Sequence, residues 1–223
     1  MRTRKIPFIQ GEYYHVFNRG IDKRDIFSDQ YDIKRFIQSM NEFNNVEPIG
    51  SIYQNSFNKI SLRGRTPKLY TKSEKLVDFI CYCLNPNHYH FMLSQISDNG
   101  ISEFMRRLNG GYTSYFNHKN HRSGPLFQGC FKANHIDSNE YLLHVSAYIN
   151  LNDSVHKLRG STPKCSSFEE YVGAKSATGI CNKDIILGQF ENPKKYKQFA
   201  QEALDGILER RKIDKELTRL LLE

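Results

Sequence analysis

The chain has 223 residues, with 32 Lys and Arg against 24 Asp and Glu, and its formal net charge is +8. Hydrophobic residues make up 39% of the chain and charged residues 25%, which excludes a disordered protein. There is no run of about 18 apolar residues, which excludes a membrane-spanning helix, and no apolar stretch typical of a secretory signal near the N-terminus. The five cysteines form no C-x-x-C pair and favour reduced thiols in a cytosolic protein.

The first predicted elements are a strand and a helix. Residues 12–19 are rich in β-branched and aromatic side chains and end at an Arg-Gly pair, which predicts a strand. Apolar residues at helical spacing over 29–43 predict an amphipathic helix. Residues 44–75 have no clean period and contain several Pro and Gly residues, so we expect an irregular insertion there.

A β-hairpin is predicted next, over residues 76–94. Residues 76–84 are apolar on both alternations apart from Asp78, which is typical of a strand covered on both faces. The sequence Asn-Pro-Asn at 85–87 indicates a turn, and the apolar run at 89–94 predicts the returning strand.

Three further helices are predicted, over residues 101–117, 138–151 and 194–222. The first contains a Gly-Gly pair at 110–111, where we expect a break. Residues 118–135 predict a polar loop. The pattern loosens after residue 157. We therefore predict a main domain over 1–157, which contains the insertion, and a mainly helical C-terminal extension over 158–223.

The positive charge is concentrated in two segments. Residues 53–75 hold six basic residues and one acid, and residues 104–135 hold five basic residues and no acid, so each has a net charge of +5. A near-neutral body with two basic segments favours a polyanionic partner. An ordinary solvated surface is the alternative, and the charge count alone does not decide between the two.

His88 and His90 are the sharpest local feature of the sequence. Residues i and i+2 of a strand point to the same face, so the two imidazoles lie side by side, with Tyr89 on the other face. Two such imidazoles can bind one divalent metal ion. Strand histidines with ordinary hydrogen bonds would produce the same spacing.

Tyr148 and Asn152 are a second candidate pair. They are four residues apart on the predicted helix and so share a face. The Asn152 side chain could supply an oxygen ligand to the same metal, and Tyr148 could supply a phenol beside it. The alternative places Tyr148 in an apolar stripe with Tyr141, Val145 and Ile149.

Five sequence runs resemble a known family. In order they are YHVFNRG at 14–20, LNPNHYHFML at 84–93, LNGGYTSYFN at 108–117, SGPLFQGCFKA at 123–133 and YLLHVSAYINLN at 141–152. Over residues 7–157 the chain resembles the single-tyrosine HUH transposases of the IS200-like group, in particular the REP-associated tyrosine transposases.

The resemblance implies an α+β fold, with a ferredoxin-like antiparallel sheet and helices packed mainly on one face, followed by a helical tail. It implies that His88 and His90 are the HUH pair, that Tyr148 is the nucleophile, and that Asn152 completes a Mg²⁺ or Mn²⁺ site. In such enzymes the tyrosine cleaves single-stranded DNA and forms a covalent 5′-phosphotyrosine. A homodimer and a cytoplasmic, nucleoid-associated location are further expectations.

Tyr112 and Tyr115 are rival nucleophiles, because they are closer in sequence to His88 than Tyr148 is. Neither has a ligand-type residue four positions later, so we interpret them as DNA-contacting or core aromatics.

The remaining candidates for contact with single-stranded or hairpin DNA are basic, amide or aromatic residues. They are Asn18, Arg19, Arg106, Arg107, Tyr112, Tyr115, Lys119, Arg122, Gln128 and Lys132. A protein of this fold that binds DNA hairpins without cleaving them is the first alternative function. A metal hydrolase that acts through water, with Tyr148 structural, is the second.

Overall fold

The computed structural model describes residues 7–52, 74–156, 164–173 and 178–220, with side chains to residue 213. Most of the predicted insertion at 44–75 lies outside the described residues. So do five of the six basic residues of segment 53–75.

The described elements up to residue 150 are four strands, three α-helices and one 3-10 turn. They are β1 (Tyr13–Arg19), a 3-10 turn (Ile21–Lys23), α1 (Gln30–Glu42), β2 (Val77–Asn85), β3 (His88–Gln95), α2 (Gly100–Lys119), β4 (Lys132–Ile136) and α3 (Asn139–Asn150). The C-terminal elements are α4 (Asn152–Val155), β5 (Cys165–Ser166), α5 (Phe168–Tyr171), α6 (Asp184–Leu187) and α7 (Pro193–Leu220). Every helix in these ranges is too short or too polar to span a bilayer.

The five strands form one antiparallel sheet in the order β4-β1-β3-β2-β5. The first four strands, with α1 between β1 and β2 and α2 between β3 and β4, have the ferredoxin-like arrangement. The predicted α+β class is therefore confirmed, and β5 is an addition at the β2 edge.

Strand β4 begins in the predicted loop 118–135, ends one residue after it, and was not expected. Its sequence, KANHI, is mostly polar and exposed, so it has none of the alternation that predicts a strand. It forms because its backbone pairs with the edge of β1, from Tyr13 opposite Ile136 to Phe17 opposite Lys132. Such pairing is a property of the neighbouring strand and leaves no local signal.

The predicted break at the Gly-Gly pair is wrong, since α2 runs unbroken from Gly100 to Lys119. A Cβ atom on Gly111 would lie 2.6 Å from Cε2 of Phe43, whereas one on Gly110 would meet nothing within 4 Å. Gly111 therefore permits the close approach of the Phe43 ring, just after α1, to α2. Its absent side chain serves packing and not a kink.

Helices cover both faces of the sheet, which corrects the expectation that they lie mainly on one. On one face α1 and α2 pack over Val16, Phe79 and Phe91. On the other face α3 and α7 pack over Cys83 and Met92. The central strands are apolar on both sides, so each side requires a cover.

Helix α7 contributes to this second core. Tyr196, Ala200 and Leu204 are buried against the sheet and α3. The Tyr196 hydroxyl accepts a hydrogen bond from Nδ2 of Asn150 at 2.8 Å and lies 3.2 Å from Oγ of Ser146. These two partners flank position 148, so α7 holds the part of α3 that carries Tyr148. The boundary near residue 158 stays a prediction.

Candidate active site

The histidine pair begins β3, immediately after the turn that joins it to β2. His88 and His90 lie on the same face, with ring centroids 5.2 Å apart. Tyr89 points the other way into the α1 and α2 core, and its hydroxyl donates to Oδ1 of Asn109 at 2.8 Å. The period of the strand therefore places both imidazoles on the face that α3 and α7 cover.

Asn152 meets His88 from α4. Its Oδ1 lies 3.1 Å from Nε2 of His88, and the side chain is fully buried. The Nδ2 atom of Asn85 donates to Oδ1 of Asn152 at 2.8 Å and lies 2.9 Å from Nε2 of His88. The imidazole nitrogen and the amide oxygen therefore lie side by side, and both contact the amide nitrogen of Asn85.

These groups fit a divalent cation of octahedral preference. Neighbouring ligands at about 2.1 Å from such an ion lie about 3 Å apart, close to the observed separation of His88 and Asn152. Within the described ranges no three His, Cys, Asp or Glu side chains are arranged to hold a metal. A metal held at the histidine pair would therefore need the amide oxygen of Asn152 beside the two imidazoles.

His15 belongs to the site although it was not among the predicted site residues. Strand β1 pairs with β3, and Nε2 of His15 lies 2.8 Å from Nδ1 of His90. When Nδ1 of His90 donates in this bond, its Nε2 keeps a free lone pair and can act as a ligand. In the sequence, the alternation of β1 indicates only which face of the strand His15 occupies. It identifies His15 as a neighbour of His90 only when the partner strand is known.

The histidines are uncharged at neutral pH. Burial lowers the pKa of His15 to about 4, and it lowers the pKa of His156, which lies against His88, to about 4 as well. Burial also lowers the pKa of His88 and, together with the neighbouring imidazoles, that of His90. Metal ions bind the neutral form of imidazole, so the site is ready for binding without loss of a proton.

Tyr148 reaches the same cleft from α3. Its ring centroid lies 5.7 Å from that of His90 and 6.0 Å from that of His15, both in edge-on contact. The side chain is only half-buried, unlike Val145 and Ile149 on the same helix. Tyr148 therefore contacts the histidines from the edge of the second core, whereas the alternative interpretation placed it in the apolar stripe.

The cleft has a volume of about 670 Å³ and a positive lining. Four cations line it, Arg19, Lys23, Lys132 and Arg211, together with the histidines and Tyr148. No Asp or Glu is among its described lining residues. A lining of this charge attracts anionic ligands.

Four of the predicted DNA-contacting residues line this cleft: Asn18, Arg19, Gln128 and Lys132. Nε of Arg19 donates to Oε1 of Gln128, which joins the end of β1 to the loop before β4. Three residues that were not predicted as site residues also line the cleft: Lys23, His156 and Arg211.

The predicted DNA-contacting residues Arg106, Arg107, Lys119 and Arg122 do not line this cleft. Each makes ion pairs or hydrogen bonds with other residues of the protein. Arg106 and Arg107 pair with Glu103 at 2.7 Å. Lys119 pairs with Asp29 and Asp32 at 2.7 Å, and Arg122 donates to Asn117 and to the carbonyl of Pro125.

The rival tyrosines are also outside the cleft. Tyr112 is fully buried and donates to the carbonyl of Ile26 at 2.6 Å, and Tyr115 donates to Asp32 at 3.0 Å. The geometry favours a packing role for both and leaves Tyr148 as the tyrosine beside the histidines.

Residues 54–152 match the family model described as transposase IS200 like. The match contains both histidines, Tyr148 and Asn152, and it confirms the family resemblance over this span. A solved structure of a REP-associated tyrosine transposase bound to a REP hairpin is similar at 14% identity, with a TM-score of 0.47, over 82% of this chain and 93% of that chain. No curated protein matches the sequence.

Proposed function

We propose, from the IS200-like transposase match over residues 54–152, that the protein is a single-stranded DNA endonuclease and strand transferase with Tyr148 as its nucleophile. The observation that carries the proposal is that Tyr148 and the two imidazoles line one cleft with four cations, while the buried Asn152 amide contacts His88. Each part has a distinct role in phosphoryl transfer.

Tyr148 attacks the scissile phosphorus. A bond forms between its hydroxyl oxygen and phosphorus as the bond to the 3′-oxygen breaks, the phenol loses its proton, and the 3′-oxygen leaves as a hydroxyl. The product is a 5′-phosphotyrosine. Attack by a 3′-hydroxyl reverses these changes and rejoins a strand without ATP, because the linkage keeps the energy of the phosphodiester.

His88, His90 and Asn152 would hold a divalent cation. When bound, the ion supplies Lewis-acid stabilisation of charge on the phosphate oxygens. Two imidazoles suit Mn²⁺ better than Mg²⁺, which prefers oxygen ligands, so we propose higher affinity for Mn²⁺. Arg19 and Lys132 line the same cleft and would position the strand through its backbone phosphates.

A denaturing gel tests the proposal. Protein is incubated with end-labelled, hairpin-forming single-stranded DNA and with Mn²⁺ or Mg²⁺. A slowly migrating covalent protein–DNA species is the expected result. Cleavage without this species would identify a hydrolase acting through water, and a shift seen only on native gels would identify a DNA-binding protein that does not cut.

Tyr148→Phe identifies the nucleophile. This change removes the hydroxyl and keeps the ring, so we expect the covalent species to disappear while DNA binding persists. Tyr141→Phe is the matched control, since Tyr141 lies on the same helix and is 39% exposed. An adduct that survives in Tyr148→Phe would exclude Tyr148 as the nucleophile.

The predicted homodimer stays a prediction that sedimentation velocity can test.

A further inference from the structure

Helix α7 passes directly beside the proposed active site. Its buried stripe of Tyr196, Ala200 and Leu204 packs in the core that also contains residues of α3. The helix continues past this stripe, and seven residues after Leu204, two turns along the same face, it presents Arg211. The packing of the stripe therefore determines where Arg211 lies.

Arg211 is held at the edge of the cleft. Its Nη1 donates to the carbonyl oxygen of Val155 at 3.1 Å, at the end of the short helix that begins with Asn152. The residue is exposed, and it lines the cleft with His88 and His156. A guanidinium has five N–H donors, so this bond fixes the group and leaves others for a ligand.

No carboxylate neutralises Arg211 in the part of the chain that the structure describes. Its only hydrogen bond there is the one to Val155, and no Asp or Glu lines the cleft in that part. Arg106 and Lys119 differ, because both make ion pairs at 2.7 Å. An anchored cation with no carboxylate partner among the described residues, in an otherwise basic cleft, is typical of an anion-binding group.

The neighbouring Arg210 provides an internal comparison. It lines a second cleft, of about 800 Å³, which lies between α3 and α7 on the other side of Tyr148. Two acids, Glu140 and Glu202, line that second cleft. Adjacent arginines on one helix therefore face different electrostatic surroundings, and only Arg211 lies where a phosphate is favoured.

We propose that Arg211 binds a backbone phosphate of the DNA strand, which makes the C-terminal helix part of the nucleic-acid-binding surface. The proposal rests on the proposed function, because it requires that a DNA strand occupy the cleft. Arg19, Lys23 and Lys132 line the same cleft, so a strand in it would meet basic residues from both the sheet and α7.

The salt dependence of binding tests this proposal. Affinity for a labelled single-stranded hairpin is measured by fluorescence anisotropy in EDTA, over a range of salt concentrations, for the wild type, Arg211→Met and Arg210→Met. Loss of one phosphate contact should reduce the slope of log K against log salt by about 0.7. We expect this reduction and weaker binding for Arg211→Met, and neither for Arg210→Met.

Arg211→Lys separates charge from structure. Lysine keeps the charge but not the fork of donors, so we expect most of the slope to return. Weaker binding by Arg211→Met with an unchanged slope would indicate a purely structural role and overturn the proposal. Equal slopes and affinities for all variants would also overturn it, while adduct formation by the wild type would leave the proposed function intact. A wild type that binds no single-stranded DNA would overturn both.

Discussion

Nε2 of His15 and Nδ1 of His90 lie 2.8 Å apart across the pair of strands β1 and β3. Both side chains are buried, with 7% and 8% of their surface exposed. One nitrogen donates and the other accepts, so the contact couples the tautomers of the two rings and fixes how the His90 ring is turned. His15 is a positioning residue for a proposed metal ligand.

His15→Phe should weaken metal binding. The change keeps an aromatic ring but leaves Nδ1 of His90 without its partner, and loss of such a partner typically costs about 10- to 100-fold in metal affinity. Mn²⁺ titration monitored by electron paramagnetic resonance, without DNA, measures the effect. His135→Phe is the control, because His135 contacts Tyr14 on the opposite face of the sheet. Equal Mn²⁺ affinity in both variants would contradict the role of His15.

Stability should fall with acid as the buried histidines are protonated. Burial lowers the pKa of His15 from 6.5 to about 4, so between these values the unfolded chain binds more protons than the folded one. The free energy of unfolding therefore rises with pH through this window and loses the contribution of His15 as pH falls through it. Urea unfolding from pH 4 to 7 should show a shallower dependence for His15→Phe than for the wild type. Parallel curves would argue against a neutral buried His15.

Tyr196→Phe should loosen the attachment of α7 to α3. The change removes the hydroxyl that accepts from Nδ2 of Asn150 and leaves a buried donor unsatisfied. We expect a loss of about 1–3 kcal/mol in the free energy of unfolding. Tyr141→Phe, at a more exposed position, should change it by less than about 0.5 kcal/mol. Chemical denaturation of the two variants measures both, and a similar small effect would contradict the packing argument.

Alanine substitutions at the two adjacent glycines of α2 should change the stability of the fold in opposite directions. Gly110→Ala meets open space and gains helix propensity, so we expect stabilisation of about 0.5–1 kcal/mol. Gly111→Ala places a Cβ atom against the Phe43 ring, and such overpacking costs about 1–3 kcal/mol. Thermal unfolding compares the pair. A stabilised Gly111→Ala would mean that the Phe43 ring moves aside at little cost.

Arg19→Ala and Arg106→Ala should separate cleft cations from surface cations. Arg19 lines the cleft, whereas Arg106 is 71% exposed and paired with Glu103 on α2. We expect weaker hairpin binding and a smaller salt slope for Arg19→Ala only. Native gel shifts at two salt concentrations measure both the hairpin affinity and its dependence on salt. Equal losses for both would place the DNA on α2 as well as in the cleft.

The local geometry of the site could be predicted from the sequence alone. The two-residue period of a strand puts His88 and His90 on one face, and the helical pattern predicted over residues 138–151 puts Tyr148 on a helix, as observed. These relationships depend on backbone dihedral angles over a few residues. The sequence runs that contain these residues also carry the family resemblance, which the family-model match over residues 54–152 confirms.

Only the tertiary structure decided which distant groups share the site. The pairing of β1 with β3 brings His15 to His90, the polar strand β4 brings Lys132 to the cleft, and the docking of α7 brings Arg211. Tertiary contacts also bind Lys119 to Asp29 and Asp32, so a basic segment that looked uniform in sequence was divided between ion pairs and the cleft. Strand register and helix docking depend on many weak contacts between residues far apart in the chain, and no local pattern records their sum.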